Sequence, residues 1–597
     1  MSSASPHPRK RPRAATVAAA GLLALPAIVA VSTPASAAPA RCDTRTNTTV
    51  QMMLECITVG GVRAHQQALQ KAADANGGTR ASGTPGFTAS AAYVESQARA
   101  AGLKVTTQDF DFPFFQLNSE TMEQVAPIVR LFAPGTDFST MTYSGSGNVT
   151  ALAKPVDLVV PPTPVPSSTS GCEAADFAGF VPGAIALIQR GTCAFADKAA
   201  NAQAAGASGV IIFNEGQPGR TDVFGGTLGA PGITIPVVGT SFDIGVSLQG
   251  ATVHLATSTV SQIRQTRNVI AELPGARTNG NVVMVGAHLD SVLAGPGIND
   301  NGSGTATILE VARMFAKAKP TNTVRFAWWG AEELNLLGSA HYVQNLTQAE
   351  ADRIALYLNF DMVASPNFVR FVYDGDGSAG LSDPGPAGSG PIENVFLKFF
   401  ADRGLATEPT AFDGRSDYGP FIAVGIPAGG LFTGAEGVKT PAQAATYGGT
   451  AGVAYDSCYH QACDTFANNN LVVLGQNADA IAYSTVTLAY STELVNGVPG
   501  RTPPGSSRHP VAGQAGDSAK SEFVRVPGGS AARNPHSPAT ERRPRRRPLH
   551  SHRTEPAPEA RGEAAEDCAP GYREHSSGAA QPQRAELLQQ VVLTRIP

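Results

Sequence analysis

Histidine and acidic side chains follow several strand-like segments of this sequence, at the points where those segments end. They are His288 and Asp290 after the apolar run 282–287, Glu332 and Glu333 after 324–329, and Asp361 after 354–360. Asp300 lies in a polar loop that leads into a helix-like segment, and His460 lies beside Tyr459 in a later loop. Imidazole and carboxylate groups together form the ligand sets of Zn²⁺ and related ions. The residue types therefore predict a cation site assembled from separate segments.

The candidate ligands outnumber those that one tetrahedral zinc ion requires. Two imidazoles and three carboxylates suit two ions about 3.5–4 Å apart, with one carboxylate bridging them and a water molecule between them. A further carboxylate must stay free of metal so that it can take the proton of that water. Adjacent residues such as Glu332 and Glu333 project differently, so one can bind metal while its neighbour acts as the base.

Each of these residues has an ordinary interpretation when it is considered alone. An Asp at a strand end is usually a cap or a turn former, and an adjacent Glu pair is commonly a solvated face. The isolated histidines His65, His254 and His341 are interpreted as surface residues or satisfied core residues. The coincidence of the candidates at the strand ends of one predicted sheet favours the metal site.

The segments around these residues alternate between strand and helix. Strands are predicted at 103–115, 282–285, 324–329, 354–360, 368–373 and 423–432, and helices at 50–75, 88–102 and 303–318. This alternation predicts an α/β fold with a mixed, mostly parallel sheet sandwiched by helices. Ligands of such sheets bind at the carboxyl ends of the strands, where the candidate residues lie.

The segment 121–263 has a different character. Strand-like runs at 156–160, 183–188, 209–213 and 235–238 are separated by Pro and Gly turns, and 196–207 has a helical pattern. We therefore expect a small β-rich domain inserted into the α/β domain.

Length and composition exclude several classes of protein. The chain has 597 residues, more than a single core supports, and 42% of them are hydrophobic. This excludes a wholly disordered chain and a protein with many membrane spans. Residues 38–500 hold 38 Asp and Glu against 25 Lys and Arg, which argues against nucleic-acid binding.

Both ends of the chain differ from the predicted domains. Residues 1–37 combine a basic start, an apolar stretch and an Ala-x-Ala ending, which is the pattern of an export signal. A membrane anchor is the alternative, but Pro26 and the Ala-x-Ala ending weigh against it. Residues 498–597 are interpreted as a disordered tail or a frame-shifted reading of a lost domain. We expect a secreted protein, monomeric and not bound to membranes.

The cysteines favour an oxidising compartment. They are Cys42 and Cys56, Cys172 and Cys193, Cys458 and Cys463, and the single Cys568. Three local disulfides are the most economical pairing, although the spacing does not prove the connectivity. A zinc knuckle is a poorer interpretation because the sequence has no C-x-x-C pair.

The segments that carry the candidate ligands resemble the M28 family of zinc aminopeptidases, particularly the secreted bacterial leucine-type aminopeptidases. The matching stretches are GAHLDS at 286–291, GINDNGSG at 297–304, WGAEE at 329–333, NFDM at 359–362 and CYHQAC at 458–463. The resemblance covers roughly residues 47–120 and 265–497. It implies the zinc-peptidase fold, with a peptidase domain formed by 38–120 and 264–497.

The resemblance implies a role for each matching residue. His288 and Asp361 would hold one zinc ion, Glu333 and His460 the other, and Asp300 would bridge the two. Glu332 would be the general base, Asp290 would orient His288, and Tyr459 would help to stabilise the oxyanion. Glu332 and Asp361 would also grip the free α-amine of the substrate. Some relatives bind Ca²⁺, but the sequence offers no site that supports it.

The substrate contacts implied by the resemblance rest on fewer residues. Arg415 resembles an arginine that contacts the substrate or the oxyanion, and a salt bridge to Asp413 or Asp417 is the alternative. The segment 430–435, which includes Phe432, looks like part of an apolar pocket for the N-terminal side chain. We therefore expect peptides and proteins with N-terminal Leu, Phe or Met as substrates.

Residues 121–263 resemble a protease-associated (PA) domain, on the stretches GTCAFADK at 191–198 and AAGA at 204–207. The sequence as a whole predicts a secreted di-zinc aminopeptidase with this domain inserted. The alternatives are a carboxypeptidase or other amide hydrolase on the same scaffold, and a catalytically silent peptide-binding protein.

Overall fold

The computed structural model describes residues 42–277 and 280–501. The predicted export signal, most of the predicted tail and Cys568 lie outside these residues. Within them, no helix has both the length and the apolar character that a membrane crossing requires.

Helices and strands alternate over most of the described chain. The helices are α1 Val50–Cys56, α2 Val59–Asp74, α3 Pro85–Ala100, α4 Phe195–Ala204, α5 Phe242–Ser247, α6 Gly302–Phe315, α7 Leu337–Gln344, α8 Gln348–Arg353, α9 Ser389–Ala401, α10 Tyr418–Ala423, α11 Pro441–Tyr447, α12 Leu471–Tyr490 and α13 Glu493–Asn496. The strands are β1 Lys104–Ala126, β2 Arg130–Phe132, β3 Phe138–Thr140, β4 Gly147–Val156, β5 Ile185–Gln189, β6 Gly209–Phe213, β7 Val237–Thr240, β8 Thr252–Leu273, β9 Val282–His288, β10 Thr323–Trp329, β11 Ile354–Phe360, β12 Phe371–Tyr373, β13 Glu408–Thr410 and β14 Ala428–Phe432.

Four parallel strands form the centre of the sheet that positions the candidate ligands. They lie in the order β14, β11, β9, β10, and the antiparallel strands β12 and β8 flank them. Every residue of β9 and β11 is buried, as expected for strands covered on both faces. The predicted α/β class with a mixed, mostly parallel sheet is confirmed.

Helices cover both faces of this sheet because alternate residues of each strand point to opposite sides. Val283 and Val285 of β9 pack in a core with α2, α3, α6, α9 and α12. Val282 and Met284 of the same strand pack on the other face, with side chains of α7 and α10. The carboxyl ends of the parallel strands are thus fixed from both sides.

A long two-stranded ribbon connects the insert to the rest of the molecule. Strands β1 and β8 pair antiparallel from Lys104 opposite Glu272 to Ala126 opposite Thr252. One end of β8 pairs with β10, and the other end pairs with β4. Strands β4, β5, β6 and β7 form a parallel sheet with their own apolar core, so the ribbon belongs to both sheets.

Some predicted element boundaries are wrong. The segment 423–432 begins with the end of helix α10 and a turn at Gly425, and the strand starts only at residue 428. Strand β4 ends at residue 156, and Val159 and Val160 beyond it are partly exposed in a Pro-rich loop. Apolar runs interrupted by Gly or Pro can be turns, and the period-two pattern does not separate these cases.

The three disulfides predicted from local spacing are present. They join Cys42 to Cys56, Cys172 to Cys193, and Cys458 to Cys463. The last of them closes the loop that carries Tyr459 and His460.

Candidate metal centre

The parallel strands bring most of the candidate ligands to one edge of the sheet. His288 is the last residue of β9, and Asp361 follows β11 directly. Glu332 and Glu333 lie in a short turn after β10. Strand β9 pairs parallel with β10 on one side and with β11 on the other, so the three strands end at the same edge. The loop before α6 adds Asp300, and the disulfide-closed loop adds His460. The carboxylate of Asp300 contacts both histidines.

Asp300 lies between the two imidazoles. Its Oδ1 is 3.2 Å from Nε2 of His288, and its Oδ2 is 3.2 Å from Nε2 of His460. Each carboxylate oxygen thus faces a different potential ligand, which is the arrangement of a bridging carboxylate.

The remaining acids divide between the two histidines. Oδ1 of Asp361 lies 3.3 Å from Nε2 of His288, and Oε2 of Glu333 lies 2.9 Å from Nε2 of His460. Glu332 is more distant, with Oε2 3.8 Å from Nε2 of His288. The centre therefore offers two ligand groups that share Asp300, and Glu332 lies beside them.

Burial and mutual repulsion perturb the acids of this centre. Burial raises the pKa of Glu332 well above its usual range and, together with the charge of Asp300, raises the pKa of Glu333 to about 7. Burial alone would lower the pKa of His460, but hydrogen bonds to Asp300 and Glu333 raise it to about 10. Several acidic groups therefore lie close together away from solvent, where their negatively charged forms are unfavourable without a cation.

The donor set fits divalent cations. Oε1 of Glu333, one of the candidate ligands, is buried and has no hydrogen-bond partner within the described residues. A buried carboxylate oxygen without a partner is costly, and a cation would satisfy it. Imidazole and carboxylate ligands match zinc better than calcium, which prefers oxygen alone.

Asp290 contacts both His288 and the turn with the two glutamates. Its backbone oxygen lies 3.1 Å from Nδ1 of His288, whereas its carboxylate Oδ1 is 3.7 Å from that nitrogen. The carboxylate Oδ1 instead accepts a hydrogen bond of 3.2 Å from the backbone N–H of Glu332. The carbonyl of Asp290 is thus the nearer partner of the His288 ring, and its carboxylate lies farther from the same nitrogen.

Arg415 and Tyr459 meet at the mouth of the site. Nη2 of Arg415 donates to the hydroxyl of Tyr459 at 3.3 Å, and Nη1 lies 2.8 Å from Oε1 of Glu436. The guanidinium therefore pairs with Glu436, while only the backbone N–H of Arg415 contacts Asp413. Asp417 lies buried, and burial raises its pKa to about 8.

A cleft opens directly above the ligands and encloses about 510 Å³, part of it open to solvent. Besides the ligands themselves, Arg415, Tyr459 and Phe432 line it. Its other apolar lining residues are Met362, Tyr373, Ala411, Tyr418 and Ala435. A cleft lined by the candidate ligands, by polar residues and by apolar side chains can hold a small polar group against the ligands and an apolar side chain nearby.

Two buried charged residues beside the site were not predicted from the sequence. The guanidinium of Arg80, which is fully buried, donates to the carbonyl oxygens of Leu289, Pro296 and Gly297. The carboxylate of Asp464 accepts the backbone N–H of Asp300 at 2.9 Å. Arg80 is isolated in a polar loop and Asp464 only follows a cysteine, so neither gives a sequence signal.

A separate group of acids lies elsewhere in the fold. Carboxylate oxygens of Asp374, Asp376 and Glu393 are within 4.8 Å of one another. They accept backbone N–H groups of residues 375, 378 and 379.

Comparison with known proteins decides the family. The model of peptidase family M28 matches residues 268–485, a range that contains all the candidate ligands. An aminopeptidase of Pseudomonas aeruginosa is 49% identical over 450 residues, which are 74% of this chain and 83% of that protein. The chain belongs to peptidase family M28.

Other comparisons agree with this M28 assignment. Leucine aminopeptidase 2 of Trichophyton equinum is 48% identical over 370 residues, covering 60% of this chain and 72% of that protein. The structure of an aminopeptidase from Aneurinibacillus sp. strain AM-1 matches with a TM-score of 0.52 and 27% identity, over 73% of this chain and 95% of that one. The PA domain model matches residues 156–248. The expected M28 peptidase with a PA domain is confirmed.

Proposed function

We propose that this M28 peptidase is a secreted aminopeptidase that uses two zinc ions to cleave the peptide bond after an apolar N-terminal residue. The observation that carries the proposal is the position of Asp300, whose two carboxylate oxygens each lie 3.2 Å from a different imidazole. A carboxylate shared in this way between two ligand groups is suited to bridge two metal ions.

The ligands divide into two sets around the shared carboxylate. His288 and Asp361 would hold one zinc ion, Glu333 and His460 would hold the other, and Asp300 would belong to both. Bound zinc supplies Lewis acidity and lowers the pKa of a water molecule to about 7.

Glu332 is the proposed general base. Its carboxylate lies 3.8 Å from Nε2 of His288, farther than the carboxylates of Asp300 and Asp361. Its side chain is buried, and burial is the means by which a carboxylate gains the basicity that proton transfer from water requires. Glu332 takes the proton of the attacking water and returns it to the leaving amine. Tyr459 and Arg415 donate hydrogen bonds to the oxyanion, and the carboxylates of Glu332 and Asp361 hold the α-ammonium group.

The apolar preference follows from the walls of the cleft. Phe432, Met362 and Tyr373 are among the apolar residues that line the cleft together with the candidate ligands. An N-terminal Leu, Phe or Met side chain gains about 25 cal/mol for each Å² of apolar surface that such walls cover. Peptide and protein N-termini are therefore the proposed substrates.

We also propose the domain division and location given by the sequence pattern. The peptidase domain would comprise 38–120 and 264–497 and the PA domain 121–263, with residues 1–37 removed on export. The ranges of the two family models lie within this division. Three disulfides support an oxidising, extracellular location, and we propose a monomer.

Hydrolysis of leucine p-nitroanilide by the purified protein tests this function, before and after chelation and after zinc is added back. The N-acetylated substrate is the matched control. We expect activity that chelation abolishes, that zinc restores and that the acetyl group blocks. Cleavage of the acetylated substrate would contradict the aminopeptidase and favour another amide hydrolase. Metal-independent cleavage, or no turnover and no bound metal, would contradict the zinc mechanism.

A further inference from the structure

The turn that carries Glu332 is held by side chains that the proposed mechanism does not use. We call residues 330–338 the acid turn. The backbone N–H groups of its first three residues donate, in chain order, to Oδ1 of Asn268 at 3.1 Å, Oγ of Ser82 at 2.7 Å and Oδ1 of Asp290 at 3.2 Å. The three acceptors are at most 3% exposed. Each comes from a different segment of the chain.

The acid turn needs external support because its backbone is strained. Ala331, Asn335 and Leu336 have φ angles of 55°, 72° and 60°, in the left-handed region that residues with a side chain rarely adopt. Such conformations persist when the surrounding structure over-determines them. Three successive N–H groups fixed by buried acceptors provide that restraint at the start of the turn.

Asn268 restrains both ends of the acid turn. Its Oδ1 accepts the N–H of Gly330, and its Nδ2 donates to the carbonyl oxygen of Gly338 at 2.8 Å. A single buried amide therefore sets the distance between the two ends of the segment that includes Glu332 and Glu333.

The ribbon that carries the PA domain forms the base of this arrangement. Asn268 belongs to β8, and Thr266 of the same strand donates to Oγ of Ser82 at 3.1 Å. Phe112 and Phe114 of β1 pack in one apolar cluster with Ala331 of the acid turn. The ribbon is therefore a structural part of the catalytic centre as well as a connector.

We propose that Ser82 and Asn268 are positioning residues for peptide-bond hydrolysis. They act through the acid turn and direct the carboxylate of Glu332 towards the attacking water. This inference rests on the proposed role of Glu332 as the base. A displacement of about 1 Å in a catalytic group can cost about 100-fold in rate.

The test compares Ser82→Ala and Asn268→Asp with the wild-type holoenzyme on leucine p-nitroanilide. Ser82→Ala removes the acceptor of one N–H group, and Asn268→Asp places a carboxylate oxygen against the carbonyl of Gly338. Gln116→Ala is the matched control, because Gln116 lies on the same ribbon and its side-chain amide donates to Oδ1 of Asn118 at 3.0 Å. We expect kcat to fall about 10- to 100-fold in the two variants, with KM and zinc content close to wild type. Tm should fall, because each variant leaves a buried polar group without its partner, but the protein should remain folded at the assay temperature. The control should keep wild-type kcat.

Glu332→Gln is measured in parallel to separate this inference from the proposed function. If Glu332→Gln keeps its kcat, the base assignment fails, whatever the other variants show. If Glu332→Gln loses turnover while Ser82→Ala and Asn268→Asp stay within twofold of wild type, the positioning role is overturned. It is also overturned if the loss of kcat follows a loss of zinc or of folded protein, or if Gln116→Ala loses as much. Asn268→Asp keeps the inference testable should Ser82→Ala fail to fold.

Discussion

At the scale of single residues, Asp300 joins the two halves of the proposed metal centre. In Asp300→Asn the amide nitrogen cannot bind a cation, so one ligand group loses its shared oxygen. We expect kcat to fall by more than about 100-fold and zinc to drop below two ions per chain. Asp352→Asn, on the exposed surface of α8, is the control. Wild-type activity with full zinc in Asp300→Asn would contradict the bridging role.

The proposed hydrogen bond from the hydroxyl of Tyr459 to the oxyanion can be tested by substitution. Its hydroxyl accepts from Arg415 and lies at the cleft, so Tyr459→Phe removes a donor while the ring remains. We expect kcat to fall about 10- to 100-fold with little change in KM, because the donor acts mainly in the transition state. Steady-state kinetics of Tyr459→Phe and of the control Tyr455→Phe measure this difference. Equal effects of the two substitutions would contradict it.

At the scale of elements, the strands that end at the candidate ligands could be predicted from the sequence. The contacts that hold the acid turn in place could not. Strands β9, β10 and β11 are mostly apolar runs that have His, Asp or Glu at their end or within three residues of it, so their ends could be located from the pattern. Ser82 and Asn268 are separated from the acid turn by long stretches of chain. Contacts of that kind depend on topology, and nothing in their local spacing indicates them.

The disulfide between Cys458 and Cys463 should fix the position of the candidate ligand His460, which lies in the loop that it closes. His460 adopts a left-handed conformation within it, with φ 57°, and stacks on Tyr459 with ring centroids 3.8 Å apart. Removing both cysteines as serines should release this geometry and weaken zinc binding about 10-fold or more. Zinc titration of the apoprotein measures this change.

The disulfide between Cys42 and Cys56 provides the control for that experiment. It lies in the α1 region, and its removal should lower Tm while zinc affinity stays unchanged. Equal zinc affinities in the two double-serine variants would show that the 458–463 loop does not depend on its disulfide.

At the scale of the whole molecule, Asp479 links stability to pH. It lies on α12 and is half-buried, and burial raises its pKa to about 6. The folded state therefore holds this proton more tightly than the unfolded state does. Ionisation of Asp479 therefore lowers the free energy of unfolding. This loss is absent below about pH 4, grows as the pH rises towards 6 and reaches its full size above pH 6.

Asp479→Asn should remove this pH-dependent destabilisation. We expect the free energy of unfolding to rise by about 1–2 kcal/mol at pH 8, with no gain at about pH 4. Thermal unfolding of the variant and the wild type at both pH values measures the difference. An equal shift at both values would contradict a titrating carboxylate as the cause.

Zinc stoichiometry tests the two-metal centre most directly. Metal content per chain is measured by elemental analysis for the wild type and for His460→Ala, after zinc loading and removal of the excess. We predict two zinc ions in the wild type and about one in His460→Ala, since His288, Asp361 and Asp300 remain. A wild-type content of one ion or none, or two ions retained in the variant, would contradict the shared-carboxylate centre.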